Sequence, residues 1–313
     1  MKRAFAAACT AASIVVGAVA GCTTDGNGPS AQDGSQRDTA STNAMGEARE
    51  LTDAEQILVQ RAEQLLVKKC MKSEGFRYWV GPLPTVDDLK GGGYVVTDVA
   101  WAKKHGYGSR LQEKVQEAQR NDPNHSYANA LPEKDRIRYG ETLEGTPSSG
   151  MLTAELPGGG TVRTPDASCQ VDAKQQLYGD FATWFRAEKT ATNLSGMYVP
   201  DLVDDKRFVR AVEKWSTCMA EAGHAYADPP AIREKLPGLA EGQDPDEAFA
   251  VEVDLAVAEA TCATSSSLSE TARTLEAEYR DRKLGPYRED IAAYQRMSLT
   301  ALARAEDITD STA

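Results

Sequence analysis

Cys70-Met71-Lys72-Ser73-Glu74-Gly75-Phe76 returns, 148 residues later, as Cys218-Met219-Ala220-Glu221-Ala222-Gly223-His224, and the shared pattern Cys-Met-x3-Gly decides the fold class. Each copy ends an apolar stripe at helical spacing. In the first, Thr52 and Glu55 form a capping box, after which Leu58, Ala62, Leu66 and Cys70 recur every four residues. In the second the stripe is Phe208, Ala211, Val212, Trp215 and Cys218. A glycine in the left-handed position just past a helix brings the side chains before and after it together in a Schellman ending. Gly75 thus pairs Met71 with Phe76, Gly223 pairs Met219 with His224, and Tyr226 falls where Tyr78 stands.

Each copy also has a later cysteine in a similar setting, Asp166-Ala167-Ser168-Cys169 and Glu259-Ala260-Thr261-Cys262. Both settings read as helical. Thr164-Pro165 would open the first helix and Asp244-Pro245-Asp246-Glu247 the second. Cys169, Ala173, Leu177 and Phe181 then share one face, as do Val251, Leu255, Ala258 and Cys262. The expected fold is mainly α, an internal duplication of disulfide-stapled helix pairs with one small β-hairpin in an insertion. Each unit is expected to be stapled by one disulfide, Cys70 to Cys169 and Cys218 to Cys262; the alternative pairing of equivalent cysteines, Cys70 to Cys218 and Cys169 to Cys262, respects the same symmetry.

Outward from these helices, residues 51–196 form the first unit and 197–308 the second, with a tail at 309–313. The first unit carries a long loop-rich insertion. It holds helical stretches at Val99 to His105, Leu111 to Gln119 and near Pro132 to Thr142. A hairpin of Met151 to Leu156 and Thr161 to Thr164 turns at Pro157-Gly158-Gly159-Gly160. Ile291, Tyr294, Met297 and Leu302 mark a last helix that gives way to frayed chain from Asp307.

The amino terminus carries an address. Lys2 and Arg3 precede a weakly apolar run from Ala4 to Ala20, which has the form of a signal peptide and is marginal in both length and hydrophobicity for a spanning helix. The run ends in Val19-Ala20-Gly21-Cys22, which resembles the bacterial lipobox. That resemblance implies a signal peptide at 1–21 and two acyl chains on Cys22, enough for stable anchoring. Residues 22–50 have almost nothing to bury and read as a disordered tether reaching roughly 30 Å. The expected location is therefore the extracytoplasmic face of a bacterial membrane. There the environment is oxidising, and Cys70, Cys169, Cys218 and Cys262 read as structural disulfides. A thiolate is disfavoured at the carboxyl end of a helix, which argues against a redox site.

Composition narrows the partners. The net charge is −12, and loss of residues 1–21 leaves 47 acids against 33 bases. So acidic a surface repels nucleic acid and anionic headgroups, so the membrane partner is reached through the lipid on Cys22. No cofactor is expected, since there is no phosphate loop, dinucleotide fingerprint or calcium loop. His105, His125 and His224 lack zinc-ligand spacing, and no metal site is expected. His105 and His224 read as helix-end residues and His125 as a loop residue. There is no GxSxG motif. Asp87-Asp88 and Asp204-Asp205 are the acid pairs that a wall-cleaving hydrolase could use.

The lipobox, the two Cys-Met-x3-Gly endings, Tyr178-Gly179-Asp180-Phe181-Ala182-x-Trp184-Phe185 and Leu255-Ala256-x-Ala258-x-Ala260-x-Cys262 together resemble a family of uncharacterised secreted proteins and lipoproteins of actinomycetes. The resemblance spans about residues 51–305 and carries over no catalytic residue. The residues themselves point to a surface-tethered, non-catalytic binding or accessory module at the cell envelope. An extracytoplasmic hydrolase acting on wall material is the alternative. Tyr78, Trp79, Tyr94, Trp101 and Tyr107 are the candidate ligand-binding aromatics, set against the simpler expectation that they fill a core. Cell-wall glycan, wall peptide and a membrane transport complex are the expected partners.

Overall fold

The computed structural model describes residues 48–239 and 241–311. The expected signal peptide at 1–21, Cys22 and the expected tether as far as residue 47 lie outside the described residues. The order is α1 (Asp53–Ser73), α2 (Val99–His105), α3 (Ser109–Arg120), α4 (Pro123–Ala130), α5 (Glu133–Glu144), β1 (Met151–Glu155), β2 (Thr161–Pro165), α6 (Cys169–Tyr178) and α7 (Phe181–Ala191). It continues with α8 (Val199–Val203), α9 (Lys206–Glu221), α10 (Pro229–Leu239), α11 (Pro245–Ser265), α12 (Leu268–Lys283) and α13 (Arg288–Asp310). The fold is mainly helical, with one two-stranded antiparallel hairpin in which Met151 faces Pro165 and Glu155 faces Thr161. Among the described residues no helix is long and apolar enough to cross a membrane.

The repeated signature folds the same way twice. Thr52 and Glu55 complete the capping box of α1. At its end the Phe76 amide donates to the Met71 carbonyl at 2.9 Å and the Gly75 amide to Lys72 at 3.1 Å, with Gly75 at φ +84°. At the end of α9 the His224 amide reaches Met219 at 2.8 Å and the Gly223 amide reaches Ala220 at 3.1 Å, with Gly223 at φ +90°. Both are complete Schellman endings. Met71 and Met219 are wholly buried. The buried stripe of α1 is Val59, Ala62, Leu66, Val67 and Met71, so Leu58 and Cys70 sit half-buried at its edge.

Both disulfides are within-copy, Cys70–Cys169 with Cα atoms 5.5 Å apart and Cys218–Cys262 at 5.7 Å. The elements bearing the second cysteine of each pair differ, however. Pro165 does not open a helix; it ends β2, and α6 begins at Cys169 under a Ser168 cap whose hydroxyl accepts from the Val171 amide. Cys262 instead lies in the last turn of α11. Phe181 does not continue the face of Cys169, Ala173 and Leu177. Gly179, at φ +92°, ends α6, and Asp180 caps a new helix by accepting from the Thr183 amide.

Two main cores result, and they do not follow the division at residues 196 and 197. The first packs α1 against α6 and α13, so the last helix joins the first unit through Ala301 and Ala305. The second packs α9, α11 and α12 around Trp215, Met219, Leu255, Leu268 and Leu275. In the reverse direction, α2 leaves the insertion of the first unit and packs on α11, burying Val96, Trp101 and Ala102 against Ala256 and Ala260. Helix α13 runs to Asp310 rather than fraying at Asp307, with the Thr309 hydroxyl donating to the Ala305 carbonyl. His125 lies in α4, not in a loop.

Candidate functional site

Helix α11 is buried along two sides, by α9 and α12 on one and by α2 on the other, and it carries two glutamates into that interior. Glu252 is 5% exposed and Glu259 is 0% exposed, one heptad apart and therefore on one side of the helix. A buried carboxylate is tolerated only when donors surround it. Glu259 Oε1 accepts from the Val96 amide at 2.8 Å and from Arg233 Nη2 at 3.0 Å, and Oε2 accepts from the Tyr107 hydroxyl at 2.5 Å. Glu252 Oε1 accepts from the Tyr107 and Ser109 amides, and Oε2 from the Ser109 hydroxyl. Gly106, at φ +60°, is required here, since a Cβ would lie 2.7 Å from Glu252 Cγ. The two glutamates thereby fasten the irregular strap before α2, and the loop after it, to α11.

The strap is shaped from within as well. Asp98 caps α2 by accepting from the Trp101 amide at 2.9 Å, and Lys90 pairs with it at 3.2 Å. The Trp101 amide, then Lys90, holds the Asp98 carboxyl below its ordinary value. The Trp101 indole donates to the Asp87 carbonyl at 3.0 Å, and the outer edge of its ring lies so close to Gly91 that a Cβ there would collide with it.

A cleft of about 730 Å³ opens between this strap and α12, with the start of α1 at its edge. Leu89, Lys90, Tyr94, Thr97, Asp98 and Trp101 line one side; Thr264, Ser269, Ala272, Arg273 and Glu276 line the other, and Asp53 closes the rim. Its volume falls within the range of small-ligand sites. Both cations and carboxylates line it, so it selects no single charge.

The five candidate aromatics separate. Tyr94 and Trp101 line the cleft, but Trp101 is only 4% exposed while Tyr94 is 38% exposed and packs edge-on against Phe208. Tyr107 lies beneath, where burial and the Glu259 carboxylate raise its hydroxyl well above the ordinary tyrosine range. Burial pushes Tyr94 up to about 12. Tyr78 packs on the first core instead, and Trp79 lies beside it. Trp79 packs against Tyr127 with the Arg77 guanidinium over its ring, and Asn124 bonds both its amide and its carbonyl.

Of the acid pairs, Asp87, Asp88 and Asp205 are engaged in local structure, while Asp204 is an exposed residue just past α8. Asp87 takes Lys104 at 2.7 Å and His105 at 3.1 Å, which lower its carboxyl in that order, and Asp88 closes a turn with Thr85. Asp205 caps α9 and pairs with Arg207. His224 faces Asp254 at 3.2 Å. In the first core, burial raises the Glu63 carboxyl, which Lys174 approaches at 3.8 Å and which also feels the charge of Glu188; neither acid lines the cleft. No group of three or more potential metal ligands is found among the described residues. The residues missed from sequence are Glu252, Glu259, Arg233 and the α12 side of the cleft. The one available signal was the pair of glutamates a heptad apart inside an alanine-rich helix. Comparison with known families, characterised proteins and solved structures finds no match for this chain.

Proposed function

We propose that this protein is a lipid-anchored, non-catalytic binding module at the extracytoplasmic face of a bacterial membrane, with the strap cleft as its ligand site. The cleft carries the reading. It is large enough for a small ligand, and the buried Glu252 and Glu259 hold one wall of it in place before any ligand arrives. Asp53 lies at its rim, so the tether from Cys22 joins the fold beside the opening. A coil reaching roughly 30 Å then keeps that opening near the membrane.

The lining favours a wall peptide over a wall glycan. Trp101 is buried, so it offers no face for a sugar ring. By contrast, the backbone of Gly91 to Val95 makes no hydrogen bond among the described residues and presents free amides and carbonyls. Extended peptides are recognised through such groups. The three lining acids have other duties or settings: Asp98 caps α2, Glu276 accepts from Tyr198, and Asp53 stands in the first turn of α1. That weakens the hydrolase alternative, which needs two carboxylates free to face a scissile bond.

Native mass spectrometry of the full chain, offered the peptide and glycan fractions of digested cell wall, tests this. Peptide adducts on the wild type that disappear in Ala272→Trp, where the indole fills the cleft, are the expected result. Adducts of equal abundance on both proteins, or glycan adducts alone, would contradict it.

A further inference from the structure

We propose that the groove between α9 and α12, separate from the strap cleft, is a binding site for a phosphate group. On α9, Arg207, Arg210 and Lys214 follow one another at i, i+3 and i+7 and therefore form one stripe. They line a groove of about 340 Å³ whose floor is Ala211 and Leu275. From the α12 side Ser267, Thr271 and Thr274 contribute hydroxyls, while that of Ser266 already donates to the Cys262 carbonyl at 2.6 Å. Glu270 is the only carboxylate among the lining residues.

The charges are arranged as a site rather than as a solvated helix face. Three like charges on one stripe repel one another, and in a chain with 47 acids against 35 bases such cations are easily neutralised. Arg207 is: it is clamped by Asp205 at 3.0 Å and Glu278 at 2.8 Å, which fixes its place at one end of the groove. Arg210 and Lys214 are exposed and have no ion-pair partner among the described residues. The stripe therefore holds two cations outside any ion pair, set against one lining carboxylate and beside hydroxyl donors, the set that takes up phosphate oxygens through charge-assisted bonds. The first turn of α12 opens on the same groove; its cap residue Ser267 makes no side-chain cap bond, so the dipole there adds to the same sign.

A phosphate group reaches this surface either as a soluble ester or as a phospholipid headgroup, and titration calorimetry separates the two. The full chain in neutral detergent is titrated with sn-glycerol 3-phosphate and with dihexanoyl phosphatidylglycerol, beside Arg210→Gln/Lys214→Gln and Arg210→Glu/Lys214→Glu. Saturable binding that weakens about tenfold or more in both double variants, and falls with salt, is expected. Response to both probes assigns the site to the phosphate itself, and response to the lipid alone assigns it to a headgroup. Because both side chains are exposed, melting within a few degrees of wild type is expected and verifies folding. Equal binding by wild type and the glutamine variant, or no binding of either probe, overturns the proposal.

Discussion

Replacing Glu259 by alanine removes the acceptor that fastens the strap to α11. Three donors lose their partner together: the Val96 amide, the Tyr107 hydroxyl and Arg233. Arg233 is 32% exposed and can turn to water, which discounts its share, but Val96 is buried and Tyr107 is held against the core. Breaking a buried charged network by deleting one partner costs about 3–5 kcal/mol. At roughly 2–4 °C per kcal/mol for a chain of this size, the melting temperature falls by about 6–20 °C. Glu259→Gln keeps the shape and one acceptor, so its cost is about 1–3 kcal/mol. Differential scanning calorimetry gives the melting shift, and hydrogen exchange locates it, with the Val96 amide accelerated in both variants. An alanine variant that melts within about 2 °C of wild type, with Val96 exchange unchanged, would refute the reasoning.

Three further outcomes test the frame around the cleft. The folded chain contains no titratable thiol among Cys70, Cys169, Cys218 and Cys262, and opening the bridges of separation 99 and 44 costs about 5 and about 4 kcal/mol in the chain-entropy model; thiol titration before and after denaturation, with urea melts of the paired serine variants, reads both. Gly106→Ala destabilises by about 1–3 kcal/mol through its φ of +60° and its approach to Glu252, whereas Gly196→Ala, which meets nothing within 4 Å, stays within about 0.5 kcal/mol; equal urea midpoints would contradict this. The bond from Arg49, then the Thr52 amide, lowers the Glu55 carboxyl from its ordinary 4.5 to about 2. A depressed folded value means that the stabilisation is present above pH 4.5 and is lost as pH falls through 2. Urea midpoints should therefore slope downward from pH 5 to pH 2, less steeply in Glu55→Gln and in high salt; identical slopes for the two proteins would show that Glu55 contributes nothing there.

The repeated helix endings were legible because each rests on local chemistry, a capping box or apolar stripe at one end and a glycine with positive φ at the other. The hairpin was legible through its glycine turn. The disulfide pairing was only half legible, since symmetry alone left two arrangements and the choice depends on which helices touch. Pro165 misled because proline adopts the same φ at the first turn of a helix and at the end of a strand. The likeness of Asp166-Ala167-Ser168-Cys169 to Glu259-Ala260-Thr261-Cys262 misled for a related reason. In the first the acid lies outside the helix; in the second Glu259 is a buried residue three positions before the cysteine. A glutamate in an acidic chain reads as solvated, and its burial depends on Val96, Tyr107 and Arg233 arriving from distant segments. The aromatics of the insertion are close in sequence, yet Asn124 draws Trp79 toward the first core while Ala256 and Ala260 of α11 draw Trp101 into a separate cluster. Nothing local encodes that separation.

The most direct measurement of the cleft as a ligand site is hydrogen exchange of the 91–101 segment, followed by mass spectrometry, with and without the peptide fraction of a wall digest. Binding along the strap predicts slowed exchange across Gly91 to Trp101 in the wild type and no change in Ala272→Trp. Unaltered exchange in the wild type at saturating digest, or equal slowing in both proteins, would contradict it.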